Sequence, residues 1–192
     1  MNRRHLLPRL ALLGLLLVPS LASAQAKGGA SGNSALGPSL GSWSGALSIG
    51  LDIPGPAGLD VGPRFSGEVM LGLSDITPQL RADVGFRASF AYHNADFGSE
   101  WMFDMVPDMR LLYAASPKLA IYGDIGIGLG IIHASDNVGG SATDTVAVFE
   151  LAPGVSYALS PTVNLLAEIR FHFYTGGDRT FITLPTVKLQ FR

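Results

Sequence analysis

Apolar and polar residues alternate with a period of two along most of the chain from Trp43 onward. Turn and loop signals divide this region into eight segments, at residues 43–52, 65–74, 79–92, 101–114, 118–132, 144–158, 162–173 and 180–191. Such alternation is typical of strands that have one face in an apolar medium. The segments are ten to fifteen residues long, whereas strands of soluble proteins usually have about five or six. The pattern therefore predicts eight long antiparallel strands.

The connections between the segments alternate in character. Those after the second, fourth and sixth segments are short and contain proline, as in Ser116-Pro117 and Ser160-Pro161, where serine and proline suit the first two positions of a type I turn. Those after the other segments are longer and polar, as at 133–143. The sequence at 113–119 recurs at 157–163. Because this spacing equals two hairpins, we expect both copies to turn at the same end of an up-and-down barrel.

The two faces of the segments differ sharply in charge. One face has no charged residue in any segment, while the opposite face carries the charges together with many small residues such as Gly126 and Gly128. Large aromatic residues of the apolar face cluster near strand ends, which is expected of girdles at two lipid–water interfaces. They are Trp43, Tyr113, Tyr157 and Phe191 at the turn end, and Phe65, Phe90, Tyr92, Trp101, Phe103, Phe173 and Phe181 at the loop end. These girdles favour an apolar exterior over a soluble sandwich or lipocalin-like barrel, in which the apolar face points inward.

Residues 42–192 resemble the small eight-stranded outer-membrane barrels of the OmpA/OmpX type. The resemblance rests on the eight segments, the alternation of turns and loops, and the closing stretch 187–192, in which Phe191 is followed by Arg192. It implies an all-β fold, an eight-stranded antiparallel up-and-down transmembrane β-barrel. It also implies outer-membrane lipids around a monomer, and a last strand that the barrel-assembly machinery recognises during biogenesis. We expect bulges at Pro107, Pro153 and Pro185, because proline removes a hydrogen bond from the ladder.

The first 24 residues have the three zones of a secretory signal peptide. Arginines at 3, 4 and 9 precede a short apolar run at 10–18, and Ala22-Ser23-Ala24 is a cleavage site of small residues. We expect cleavage after Ala24, a flexible periplasmic tail at 25–41, and the barrel at 42–192 in a bacterial outer membrane. The mature chain has ten basic and fifteen acidic residues, which argues against nucleic acid as a partner. It has no cysteine, so disulfides do not stabilise it.

The charges of the polar face are the main candidate for a functional site. In a barrel of eight strands they would project into a narrow lumen, where an unpaired charge is very costly. Counting positions from the turns places Glu150 level with Arg170, and Asp83 level with Arg110. The same count places Glu168 near Lys188, and Glu68 near Arg87. The predicted network is Glu68, Asp83, Arg87, Asp108, Arg110, Asp124, Glu150, Glu168, Arg170 and Lys188.

Other motifs add little chemistry. The glycines at 126, 128 and 130 have no helix after them, so they fit a lumen lining better than a nucleotide site. The histidines do not form a metal set, and we expect no metal, no cofactor and no catalytic residue. The predicted function is a structural or surface-exposed, non-catalytic role with a lumen plugged by charges. The alternatives are a narrow pore or carrier for small apolar solutes, and a lipid-modifying enzyme in which a histidine, with His172 as the candidate, would activate a serine.

Overall fold

Eight antiparallel strands close into a barrel in which each strand pairs with its neighbours in the chain, and the last pairs with the first. The computed structural model describes Leu36 and residues 40–55, 58–96, 98–175 and 179–191. The strands are β1 (Trp43–Pro54), β2 (Gly62–Thr77), β3 (Leu80–Ala95), β4 (Gly98–Ala114), β5 (Leu119–Asp136), β6 (Ser141–Ala158), β7 (Val163–Tyr174) and β8 (Arg179–Phe191). The predicted signal peptide lies outside the described residues.

The exposure of the side chains shows which face points outward. Along β5, for example, Ile121, Ile125 and Ile127 are 54%, 42% and 67% exposed, whereas Asp124 between them is buried. This apolar exterior is the arrangement that the sequence predicted. Among the described residues, no helix is long and apolar enough to cross a membrane.

The loop-end connections are shorter than the sequence suggested. The predicted loop at 133–143 is largely a continuation of β5 and β6, in which His133 pairs with Thr143 and Ser135 with Ser141. Continued pairing satisfies backbone groups that an open loop would leave to water. The two repeated turns lie at the same end of the barrel, as predicted. In each, the amide after the proline lies within hydrogen-bond distance of the serine hydroxyl, with Lys118 at 3.3 Å from Ser116 and Thr162 at 3.2 Å from Ser160.

Only one of the three prolines adjoins a bulge. At Pro107 and Pro153 the register on both neighbouring strands is the same before and after the proline, so the expected bulges there were wrong. Proline has no amide hydrogen to donate, so at each of these positions the pairing with one neighbouring strand is interrupted without a shift in register. Near Pro185 the register shifts by one residue against both β1 and β7.

The shift near Pro185 corrects the predicted position of Phe181. Because side chains alternate between faces, one extra residue reverses the direction of every side chain before it in the strand. Phe181 is therefore fully buried in the lumen, where its ring lies 5.3 Å from His93 and meets Tyr174 edge-on at 5.6 Å. The structure places the other ten predicted girdle residues on the outside of the barrel.

Two apolar clusters lie in the lumen. The cluster toward the loop end consists of Ala91, Met102, Val106, Ile132, Val148, Tyr174 and Phe181. The cluster toward the turn end consists of Leu36, Leu112, Ala114, Tyr122 and Leu166. Leu36 belongs to the segment that the sequence assigned to a flexible tail, yet it is only 3% exposed. At this one residue the chain packs against the apolar side chains inside the turn-end mouth of the barrel.

Candidate functional site: the charged lumen

The ten charged residues of the predicted network are all buried inside the barrel. They lie on β2 to β8, and the alternation of the strands turns each of them inward. Arg110 and Lys188 are 0% and 1% exposed. Charges that water does not reach must be compensated by one another.

Two of the four predicted pairs are in contact. Arg170 Nη1 donates to Glu150 Oε2 at 3.1 Å, and Lys188 Nζ lies 2.8 Å from Glu168 Oε2. Arg170 also donates through Nε to Glu168 Oε1 at 2.8 Å. These residues form a continuous chain across β6, β7 and β8.

The other two pairs are cross-strand neighbours whose side chains reach different partners. Arg110 lies opposite Asp83, but it donates to both oxygens of Asp124 and to Glu68 Oε1, each at 2.7 Å. Glu68 lies opposite Arg87, but its second oxygen accepts from Lys188 at 2.8 Å. Long side chains cross a narrow lumen, so the nearest residue in the ladder is not the nearest charge.

Arg87 and Asp83 complete the network in different ways. Arg87 contacts Glu150, and its Nη1 lies 3.8 Å from Asp108 Oδ2. Asp83 is fully buried, and neither of its carboxylate oxygens accepts a hydrogen bond. Asp108 also accepts none. The network therefore contains two carboxylates that lack hydrogen-bond donors.

A second cluster, toward the loop end, was not predicted. Its centre is Arg64, which donates to Asp52 at 2.7 Å, to Asp104 at 2.6 Å and to Tyr174 at 3.2 Å. Tyr174 in turn donates to Asp104 at 2.8 Å. The parity of the predicted segments placed Asp52 and Asp104 on the polar face, so this signal was available. Arg64 and Tyr174 fell one residue outside their segments.

Two histidines lie inside the barrel, one from a predicted loop edge and one that strand parity already directed into the lumen. His93 and His172 are both fully buried. His172 has one ring nitrogen 2.9 Å from Glu150 Oε1 and the other 2.9 Å from the Thr183 hydroxyl. Thr183 donates to Asp52 at 2.6 Å, so this chain of hydrogen bonds joins the two charged clusters.

The space left inside the charged lumen is small. One cavity lies between the two clusters and is lined by arginine, serine, threonine and histidine side chains, including Arg64, Arg87 and His172. It has room for about one water molecule. Such a cavity is too small for a drug-sized ligand, which needs several hundred Å³.

Comparison with known proteins agrees with this architecture. A family model described as the outer membrane protein beta-barrel domain matches residues 10–186. The chain belongs to this outer-membrane β-barrel family. The predicted fold class is therefore confirmed, and the apolar exterior is the surface that faces lipid. No curated protein sequence matches the chain.

Solved barrels share the fold at low sequence identity. Neisserial surface protein A is 13% identical, with a TM-score of 0.57 over 78% of this chain and 96% of that one. The attachment invasion locus protein Ail of Yersinia pestis is also 13% identical, with a TM-score of 0.54 over 80% of this chain and 100% of that one. The outer membrane enzyme PagL is 11% identical, with a TM-score of 0.51 over 77% of this chain and 99% of that one. These similarities cover both a named enzyme and surface proteins, so they establish the fold and leave the role open.

Proposed function

We propose that this barrel has a structural, surface-exposed role in the outer membrane and that its lumen is closed to ions. The observation that supports the proposal is the burial of the central charges. Arg110, Asp124 and Lys188 are at most 1% exposed, so a water-sized sphere does not reach them from either end of the barrel. A continuous column of water is needed for ion conduction through a lumen of this kind.

The apolar clusters on either side of the charges support the same proposal. At the loop end Met102 and Phe181 are fully buried, and at the turn end Leu166 is fully buried as well. These apolar side chains fill lumen space on either side of the central network. At the loop end they are interleaved with the Arg64 cluster, and Tyr174 belongs to both groups.

The decisive experiment is the conductance of the mature protein in planar lipid bilayers. We expect no steady channels above the background of the bare bilayer. The double variant Glu150→Ala/Arg170→Ala removes a contacting pair together and leaves fewer unpaired charges than either single variant. It is expected to show more ion leakage than wild type. Large, steady and ion-selective channels from the unmodified protein would overturn the proposal in favour of the narrow pore.

The closing strand supports a proposal for biogenesis. We propose that the barrel-assembly machinery recognises the last strand, β8, before the barrel closes. In the folded barrel Phe191 pairs with Gly45 of β1 and Val163 of β7. Replacement of Phe191 by alanine should slow assembly catalysed by that machinery more than it slows spontaneous folding into detergent. Equal slowing in both assays would contradict this role.

A lipid-modifying enzyme remains the second candidate, although not through His172. That histidine is sealed in the lumen, whereas His133 lies on the outer face, where its Nδ1 is 2.7 Å from the Thr143 hydroxyl. A histidine beside a hydroxyl group is the minimal arrangement for nucleophilic catalysis. His133 also stacks on Trp101 at 5.2 Å, which is sufficient reason for its position. Release of fatty acid from lipopolysaccharide by wild type but not by Thr143→Ala would favour the enzyme.

A further inference from the structure

The buried network has more negative than positive groups. It contains six carboxylates, and only three arginines and one lysine, all of them buried. With histidines neutral, its formal charge is −2. Arg81, which is also buried, pairs at 2.6 Å with Asp75, outside the network. Because an uncompensated charge in an ion-excluding interior is very costly, the lumen should hold additional positive charge.

Asp108 is the carboxylate with which this additional positive charge would interact. Its side chain is completely buried, and neither of its oxygens accepts a hydrogen bond. The nearest cation, Arg87 Nη1, is 3.8 Å away, which is beyond hydrogen-bond distance. Three carboxylate oxygens, one each from Glu68, Asp108 and Asp124, all lie within 4.8 Å of one another. Asp108 is therefore directed into a set of oxygen ligands with its own lone pairs unused.

The spacing of these oxygens suits a hard divalent cation. Calcium binds oxygen ligands at about 2.3–2.6 Å, so ligands on opposite sides of the ion are about 5 Å apart, and magnesium needs slightly shorter distances. Carboxylates are the ligands that both ions prefer. Each Glu68 oxygen and Asp124 Oδ1 accept a single hydrogen bond, from Arg110 or Lys188, and so keep a second lone pair. Asp124 Oδ2 already accepts from both Arg110 and Arg170.

We propose that Glu68, Asp108 and Asp124 bind one divalent cation of the calcium or magnesium type inside the barrel. Its charge of +2 neutralises the excess negative charge of the network. The three ligands come from β2, β4 and β5, so the ion links strands that are not all adjacent. The site is distinct from the lipid-facing surface, and the argument for it rests on the proposal that the lumen is closed to ions.

The test is the metal content of the refolded protein. The mature chain is refolded into detergent with CaCl₂ or MgCl₂ present, since the closed lumen hinders later entry, and free metal is removed by gel filtration. Elemental analysis should find about one ion per barrel in wild type. Asp108→Asn keeps the shape of the ligand and removes its charge, and it should lose the ion. Asp83→Asn is the matched control, because Asp83 is equally buried and unbonded but lies outside the three ligands.

Stability gives a second readout that does not depend on elemental analysis. Wild type and Asp83→Asn should unfold at a higher temperature after refolding with the metal than after refolding with EDTA, whereas Asp108→Asn should unfold at one temperature in both cases. The proposal is overturned if wild type retains neither metal, which would mean that protons neutralise the carboxylates. It is also overturned if Asp83→Asn and Asp108→Asn lose metal equally, which would mean that the net charge attracts the ion and that no specific ligands hold it.

Discussion

Replacement of Arg110 by methionine removes a fully buried cation that bonds two carboxylates of the lumen, and it keeps an apolar side chain of similar length. Three hydrogen bonds of 2.7 Å disappear, two to Asp124 and one to Glu68. Each bond to a charged group contributes about 1.5–3 kcal/mol. Asp124 keeps Arg170 at 3.0 Å, and Glu68 keeps Lys188 at 2.8 Å, which reduces the loss. We therefore expect the free energy of unfolding to fall by about 3–5 kcal/mol, the usual cost of breaking a buried ion pair.

The assay is urea unfolding of the protein in lipid vesicles, followed by the fraction that migrates as folded barrel in unheated gels. Arg179→Met is the matched control. Arg179 also donates to a carboxylate, Glu100 Oε2 at 2.9 Å, but its side chain is 36% exposed. Glu100 is itself buried, so removal of Arg179 should cost about 1.5–3 kcal/mol, the value of one hydrogen bond to a charged group. This is less than the cost expected for Arg110→Met.

A double-mutant cycle separates the ion pair from the loss of packing. Arg110 also stacks over the ring of Tyr122 at 4.8 Å, and this contact is lost in the single variant as well. The variants Arg110→Met, Asp124→Asn and both together should show a coupling energy of about 1–3 kcal/mol. Additivity within about 0.5 kcal/mol, or equal costs for Arg110→Met and Arg179→Met, would refute the view that paired charges stabilise the lumen.

Three further predictions concern the barrel as a whole. Unheated samples folded in detergent should migrate differently from boiled ones, because a closed barrel has no free strand edge from which to open; identical migration would contradict closure. In lipid, Ile125→Arg should lower the free energy of unfolding by about 2–4 kcal/mol, and Leu119→Arg, on the same face near the turn end, by about 0–1 kcal/mol. Equal losses would show that the two residues do not lie at the assigned depths in the membrane. The natural chain has no cysteine, so a single introduced cysteine reports on its own position. In the folded barrel Leu36→Cys should react slowly with a water-soluble thiol reagent, whereas Leu40→Cys, at a 60% exposed position, should react rapidly. Equal rates would show that Leu36 is not held in the mouth of the barrel.

The fold was predictable because it depends on a repeated property. Alternation over eight segments determines which side chains face lipid, and an error at one residue does not change the pattern of the other segments. Phe181 shows where such reasoning fails. It has the composition and the position of a girdle residue, but a single extra residue near Pro185 reverses its direction. The amino-acid sequence marks the proline and does not state on which side of it the strand gains a residue.

Glycine 128 shows a related limit. The sequence predicts its inward position, but not the space that surrounds it. In the structure a Cβ at this position would lie 2.1 Å from the carbonyl oxygen of Met105 on the neighbouring strand, so even alanine requires the backbone to move. Parity predicts the direction of a side chain, but the space available depends on how closely two strands approach each other.

The charged lumen was predictable as a set of residues and only partly as a set of contacts. Parity places ten charges inside a barrel that is too narrow to hydrate them, and this much follows from elementary electrostatics. The partners depend on strand stagger and on side-chain length, and for this reason Arg110 reaches Glu68 on β2 and leaves Asp83, its neighbour in the ladder, without a donor. The same crossing leaves Asp108 unbonded. A closed lumen with more carboxylates than cations, in which Asp83 and Asp108 accept no hydrogen bond, needs additional positive charge. This need connects the plug that blocks ions to a site that retains one.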